Sequence, residues 1–253
     1  MATEKNQLGL EAQALSKVAE IGLSNQVDDV EKLDISVETD LLNMAQGKVD
    51  SVSMTAQGLV MQKDVRVQEI EMHTDKIAID ILTSLFGKIE LQEPIDANGT
   101  VVVTETDINQ TLNSDYIASK LAPLKLRVND QIVSLELQQP IELKLSGDGK
   151  LTFSGDILLQ ETDSSRKFRF TGVVKPGTST QPLLLEGFNC YQGEGISLDL
   201  CIALMQKCQE LLKLPYLEIA GVAFRVKHLE VQQEKMTLQI ETHIKQIPND
   251  VSL

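Results

Sequence analysis

The sequence predicts an α+β, β-rich fold in which a long, coiled antiparallel meander wraps around one or two apolar helices. Three observations carry that prediction. Between Leu124 and Tyr191, six strand-like segments follow one another with tight turns between them. Two segments, about 8–24 and 197–214, repeat apolar residues at helical spacing. Gly99, Gly155, Gly172 and Gly221 interrupt strand patterns, where the missing Cβ permits sharp coiling.

In chain order, the first helix rests on Leu8, Ala12, Leu15, Ala19 and Leu23, with few charges between them. Short helical pieces are predicted at 40–45, 81–86 and 107–121, with Asp107 and Ser114 as caps for the last. Val65 and Val67, then Ile70 and Met72, then Ile77 and Ile79 alternate with two changes of phase, which predicts bulges or bends in a long strand. The six meander segments run over 124–128, 131–138, 141–146, 150–161, 166–175 and 181–191. Turns are read at 146–150, 163–165 and Pro176-Gly177. Across the first of these, Ile141, Leu143 and Leu145 face Leu151 and Phe153.

The second helix starts at an N-cap, Ser197, and has Asp199 in its first turn, where the helix dipole favours an acid. Leu198, Ile202, Met205 and Leu212 form one apolar stripe; Leu200, Cys201, Leu204, Cys208 and Leu211 widen it. So broad an apolar surface predicts burial on more than one side. Residues 1–26 read as an N-terminal helix packing on the main domain, 27–247 as a single domain and 248–253 as a tail. The stretches 67–81 and 226–240 align without gaps and share Val67/Val226, Glu71/Glu230, Lys76/Lys235 and Ile81/Ile240. Two hairpins obeying one strand pattern, or an old duplication, both account for that echo.

Composition and missing motifs narrow the function. The chain of 253 residues has a formal net charge of -14, and that surface repels nucleic-acid phosphates. Tight electrostatic docking on anionic membranes is disfavoured for the same reason. The first residues hold no apolar run behind a basic flank, and the expectation is a protein that is cytoplasmic or peripheral to a membrane. Cys190, Cys201 and Cys208 then read as reduced thiols. His73, His228 and His243 have no partner at metal-ligand spacing, and no phosphate-binding loop or nucleophile elbow occurs. No cofactor or metal is expected, nor catalysis. Aromatic residues make up 4%, so the interior is lined by Leu, Ile, Val and Met. A smooth aliphatic lining suits a hydrocarbon chain, whose burial is non-directional and scales with area.

Residues 36–65, SVETDLLNMAQGKVDSVSMTAQGLVMQKDV, followed by LFGKIEL at 85–91 and TETDIN at 104–109, resemble a bacterial family of phospholipid-binding proteins of the lipomannan-elongation-factor type. The similarity runs from about 27 to about 247. It implies a tubular lipid-binding fold with an apolar groove, binding phospholipid or fatty acid, with transient membrane contact. On that reading Leu198, Ile202, Met205 and Leu212 line the groove from the helix, and Leu151, Phe153, Phe168 and Phe170 from the sheet, with either face of the sheet open to being the inner one. Residues 40–54 read either as a turn-helix-turn closing a sheet edge or as a groove rim with Lys48 near a lipid headgroup. The alternative is an acidic protein-interaction module with a filled core.

Overall fold

The structure is a computed structural model that describes residues 13, 16–17, 19–25, 27–40, 42–43, 46, 48–61, 63–78, 92–161, 164–178, 181–192, 196–212, 217–219 and 222–244. Twelve strands are present among them: β1 (Lys32–Glu38), β2 (Lys48–Met61), β3 (Val65–Ala78), β4 (Ile95–Thr104), β5 (Leu124–Val128), β6 (Gln131–Leu145), β7 (Leu151–Gln160), β8 (Ser165–Thr178), β9 (Gln181–Gln192), β10 (Leu217–Ile219), β11 (Val222–Gln232) and β12 (Lys235–Ile244). Three helices join them, here α1 (Glu105–Leu112), α2 (Asp115–Lys120) and α3 (Leu198–Leu212). Helical residues at 19–24 belong to the first predicted helix, whose part over 1–12 lies outside the described residues.

The strands form two antiparallel sheets. Seven lie in the order β1-β2-β3-β4-β12-β11-β10 and five in the order β5-β6-β7-β8-β9. The predicted meander is thus the five-stranded sheet, and the remaining strands build a second sheet whose halves are joined by the long-range pairing of β4 with β12. Segments 131–138 and 141–146 are one strand, β6, interrupted by a bulge at the cis Gln139–Pro140 bond. The predicted register across the 146–150 turn is correct: Leu143 pairs with Phe153 and Leu145 with Leu151. Pro176-Gly177, read as a turn, lies inside β8, where Pro176 pairs with Leu183.

Both changes of phase in β3 have backbone causes. Gly58 on the partner strand has φ 61 and faces the first, and Lys76 with φ 46 lies at the second. The echo of 67–81 and 226–240 is not two hairpins. Residues 67–78 belong to the single strand β3, whereas 226–240 is the β11–β12 hairpin. The predicted pieces at 81–86 and beyond Leu212 lie outside the described residues. Within 40–45, residues 42–43 are helical and the Asp40 carboxylate accepts from the Asn43 backbone N–H at 2.8 Å, while 41, 44 and 45 lie outside the described residues.

The helix read as 107–121 is two helices, α1 capped by Thr104 and α2 capped by Ser114. Asp107 is the third residue of α1, where it accepts from the Thr104 hydroxyl at 2.6 Å. Its carboxylate is buried and ion-paired with Arg66 of β3 at 3.1 Å; Arg66 also reaches Glu31 at 2.7 Å. Glu31 and Asp107 together hold the Arg66 guanidinium above its ordinary range. Thr111 donates to the Asp64 carbonyl at 3.1 Å, which fastens the other end of α1 to the seven-stranded sheet.

The opposite side of α1 completes the edge of β6. β5 covers β6 only over residues 131–135, so the backbone groups beyond need other partners. Leu143 N–H donates to Asn109 Oδ1 at 2.7 Å and its carbonyl accepts from Asn109 Nδ2 at 2.8 Å. Ile141 makes the same pair with Asn113, both at 2.8 Å. Leu145 N–H donates to Glu105 Oε2 at 2.6 Å. The fit is geometric: four helical residues advance about 6 Å and two strand residues about 6.7 Å. The three side chains at i, i+4 and i+8 thus stand in for a neighbouring strand.

The N-terminal helix repeats the device on β1, where Ile35 and Val37 N–H donate to Glu20 Oε1 at 3.3 Å and Ser16 Oγ at 3.1 Å. On the outer face of the five-stranded sheet, Arg169 and Lys167 hold the Asp156 carboxyl down to about 2.

Asn109→Ala removes both hydrogen bonds to Leu143 and leaves its half-buried backbone groups unpaired. We expect a loss of about 2 kcal/mol in urea unfolding. A loss below about 0.5 kcal/mol would show that α1 is not what secures the β6 edge.

Candidate functional site

Alternation along β7 places Leu151, Phe153, Gly155, Ile157 and Leu159 on one face of the five-stranded sheet. The register puts Val174, Gly172, Phe170 and Phe168 of β8 beside the first four of these. Each phenylalanine in the middle therefore faces a glycine: Phe170 lies opposite Gly155, and Phe153 opposite Gly172. On its other side Gly172 pairs with Phe188 of β9. The rings use the space the glycines leave. Phe153 meets Phe170 edge-on with centroids 5.6 Å apart, and Phe170 stacks on Phe188 at 5.6 Å. A Cβ on Gly172 would lie 2.5 Å from Phe153 Cζ.

Two elements cover the ends of this face. At one end α3 lays Leu200 and Leu204 on Leu126, Leu135, Ile157, Leu159 and Phe168. Ser197 starts α3, its hydroxyl accepting from Leu200 N–H at 3.2 Å, as the sequence predicts. At the other end β11 contributes Leu229 and Val231 against Leu145, Leu151 and Val174. Phe153 packs against both clusters, so the phenylalanines mark the strip between α3 and β11. Phe153, Phe188 and Met205 are only half-buried there, and Leu185 on the edge strand β9 remains 43% exposed. Packed cores bury such side chains almost fully; here an apolar strip keeps contact with solvent.

Several predicted site residues come together. Phe168 and Phe170 are buried in the cluster under α3, Phe153 bridges it to the next, and Met205 packs against the same cluster. Leu151 is buried one step along, under β11. Leu198 and Ile202 stand apart, 75% and 49% exposed, because α3 turns Leu200 and Leu204 to the sheet instead. The side chain of Leu212 lies outside the described residues. Lys48 begins β2 in the other sheet, with Nζ 3.2 Å from Gln46 Oε1, and is not joined to the phenylalanines. Phe188 and Leu185 were not expected. The available signal for Phe188 was an aromatic residue placed to face a strand glycine.

The polar chemistry in view lies elsewhere. On the seven-stranded sheet, a depression of about 560 Å³ is lined in part by Ser53, His73, Asn98, Thr100 and Lys227. His73 joins Ser53 Oγ at 3.0 Å through Nδ1 and Asp75 Oδ1 at 3.1 Å through Nε2. Asp75 is 86% exposed, so water screens its hold on the imidazole. Burial pushes the Cys190 thiol above its ordinary value, with nearby Cys201 adding to it, which keeps the nucleophilic thiolate scarce. Among the described residues, no group of three or more His, Cys, Asp or Glu is placed to hold a metal.

The profile of the LmeA-like phospholipid-binding family matches residues 7–241, which takes in both sheets and α3. No curated protein matches the chain.

The fit of Phe153 over Gly172 gives a contrast within one sheet. Gly172→Ala should cost about 1–3 kcal/mol. Gly187→Ala, where the nearest atom to an added Cβ is Val173 at 3.9 Å, should stay within about 0.5 kcal/mol of wild type. Thermal unfolding of the two variants decides; equal losses would contradict the packing described.

Proposed function

The chain belongs to the LmeA-like phospholipid-binding family, and from that membership we propose that it binds or carries a phospholipid or fatty acyl chain without catalysing its chemistry. The acyl chain lies in a cleft over Phe153 and Phe188, beside buried Phe170 and between α3 and β11. One observation supports this placement above the others: half-buried Phe153 and Phe188 share a sheet face with exposed Leu185, and half-buried Met205 of α3 packs against the same cluster as the two phenylalanines. Each methylene withdrawn from water onto that surface contributes about 0.8 kcal/mol, with no need for a matching polar group. Ten residues of β7 span about 33 Å, long enough to sheathe a fatty acyl tail. The resemblance to a tubular lipid-binding fold belongs to the same reading, the five-stranded sheet and α3 forming the walls of the tube.

The placement of the polar groups among the described residues supports a reading without catalysis. Near the phenylalanines, among the described residues, the Cys190 thiol is made less acidic by burial and by nearby Cys201, and the histidine–carboxylate contacts at His73 and His243 are on the other sheet. Hydrolysis of a bound lipid would need a nucleophile and base brought within hydrogen-bond reach of the ester.

Met205→Glu places a carboxylate at the half-buried wall of the cleft. Native mass spectrometry of the purified protein should find near-stoichiometric phospholipid or fatty acid on the wild type and little on the variant, with thermal stability lowered less than retention. Parallel loss of both would mark Met205 as ordinary core. Wild-type protein that is bare, and still bare after incubation with liposomes, would favour the protein-interaction module.

A further inference from the structure

Charge and exposed apolar surface are segregated in this chain. Residues 124–192, which hold the whole five-stranded sheet, carry eight basic and eight acidic side chains. The formal charge of -14 therefore rests entirely on the rest of the chain. Exposed large apolar side chains follow the opposite distribution. Among the described residues, Ile132, Leu184, Leu185, Tyr191, Leu198 and Ile202 belong to the five-stranded sheet and α3, against Ile21 and Leu42 elsewhere. Leu198 and Ile202 are one turn apart and share the side of α3 turned away from Leu200 and Leu204. α3 thus places Leu200 and Leu204 over one end of the sheet face, while Leu198 and Ile202 meet solvent beside exposed Asp199 and Gln206.

We propose that the half of the molecule built from the five-stranded sheet and α3 docks on a neutral, zwitterionic phospholipid bilayer, with Leu198 and Ile202 entering its interface. For its purpose this rests on the lipid-binding reading, since cargo must pass between protein and membrane beside α3. Charge selects the partner. With α3, whose Asp199 and Glu210 outweigh Lys207 by one, that half is nearly neutral and approaches zwitterionic headgroups at little cost, whereas the acidic remainder is repelled by anionic lipid. A second copy fits poorly, because two chains of -14 each repel and a pair of aliphatic side chains is far short of the roughly 1,200 Å² that a stable dimer buries. Interfacial binding through a few aliphatic side chains is weak and reversible, which suits exchange.

Flotation with phosphatidylcholine vesicles tests the proposal. The wild type should co-float, and Leu198→Asp/Ile202→Asp should reduce the bound fraction roughly tenfold, while Leu198→Met/Ile202→Leu retains it. Replacing a third of the lipid with phosphatidylglycerol should weaken wild-type binding at low salt, with recovery at high salt. Native mass spectrometry of the aspartate variant should find the cleft lipid unchanged, which separates this docking from occupancy of the cleft. Equal flotation of wild type and aspartate variant would overturn the proposal, as would no flotation of the wild type. A wild-type dimer in light scattering that the aspartate variant abolishes would instead make a second copy the occupant.

Discussion

The free edge of β6 is the constraint on which the arrangement depends. β6 is 15 residues long and β5 pairs with only five of them, so about two-thirds of one β6 edge has no strand beside it. Asn109 and Asn113 supply that missing neighbour, each presenting a carbonyl and an N–H as a backbone would. The same helix is held to β3 by the buried Asp107–Arg66 pair and to the β11–β12 turn by Glu105 N–H donating to the Glu234 carbonyl at 2.8 Å. Satisfying one strand edge thereby fixes how the two sheets meet. An uncompensated carboxylate at Asp107 would be costly in that setting, so the pair specifies position more than it adds stability.

The apolar strip follows from that junction. With β6 fixed against α1, Leu145 and Leu151 at one end of the five-stranded sheet meet Leu229 and Val231 of β11. α3 takes the other end through Leu200 and Leu204. Phe153 and Phe188 are left half-buried between the two covers, flanking buried Phe170 and crowded over Gly155 and Gly172. A sheet face of this length cannot be covered by one helix and one strand without remainder, and the remainder is the surface to which the lipid is assigned.

Much of the five-stranded sheet was legible in the sequence because its signals are local. Turn residues at 146–150 fixed the register of β6 on β7, and Ser197 marked the start of α3. Other features depend on partners distant in the chain. The pairing of β4 with β12 separates the strands into two sheets and leaves no periodic trace. Asn109 and Asn113 read as indifferent helix residues, since their role appears only when β6 is beside them. Leu198 and Ile202 were assigned to the groove because α3 is apolar all round, and periodicity then selects no unique inner face. Phe168 and Phe170 were found because two aromatic residues in an aliphatic interior are conspicuous; Phe188 was hidden behind the Leu183–Leu185 run.

The most direct measurement is photo-crosslinking with a phospholipid carrying a diazirine at mid-acyl chain, followed by peptide mapping of the adducts. The account predicts adducts on β7, β9 and α3, concentrated at Phe153, Phe188 and Met205. Adducts on the polar depression around His73, or spread evenly over both sheets, would contradict it.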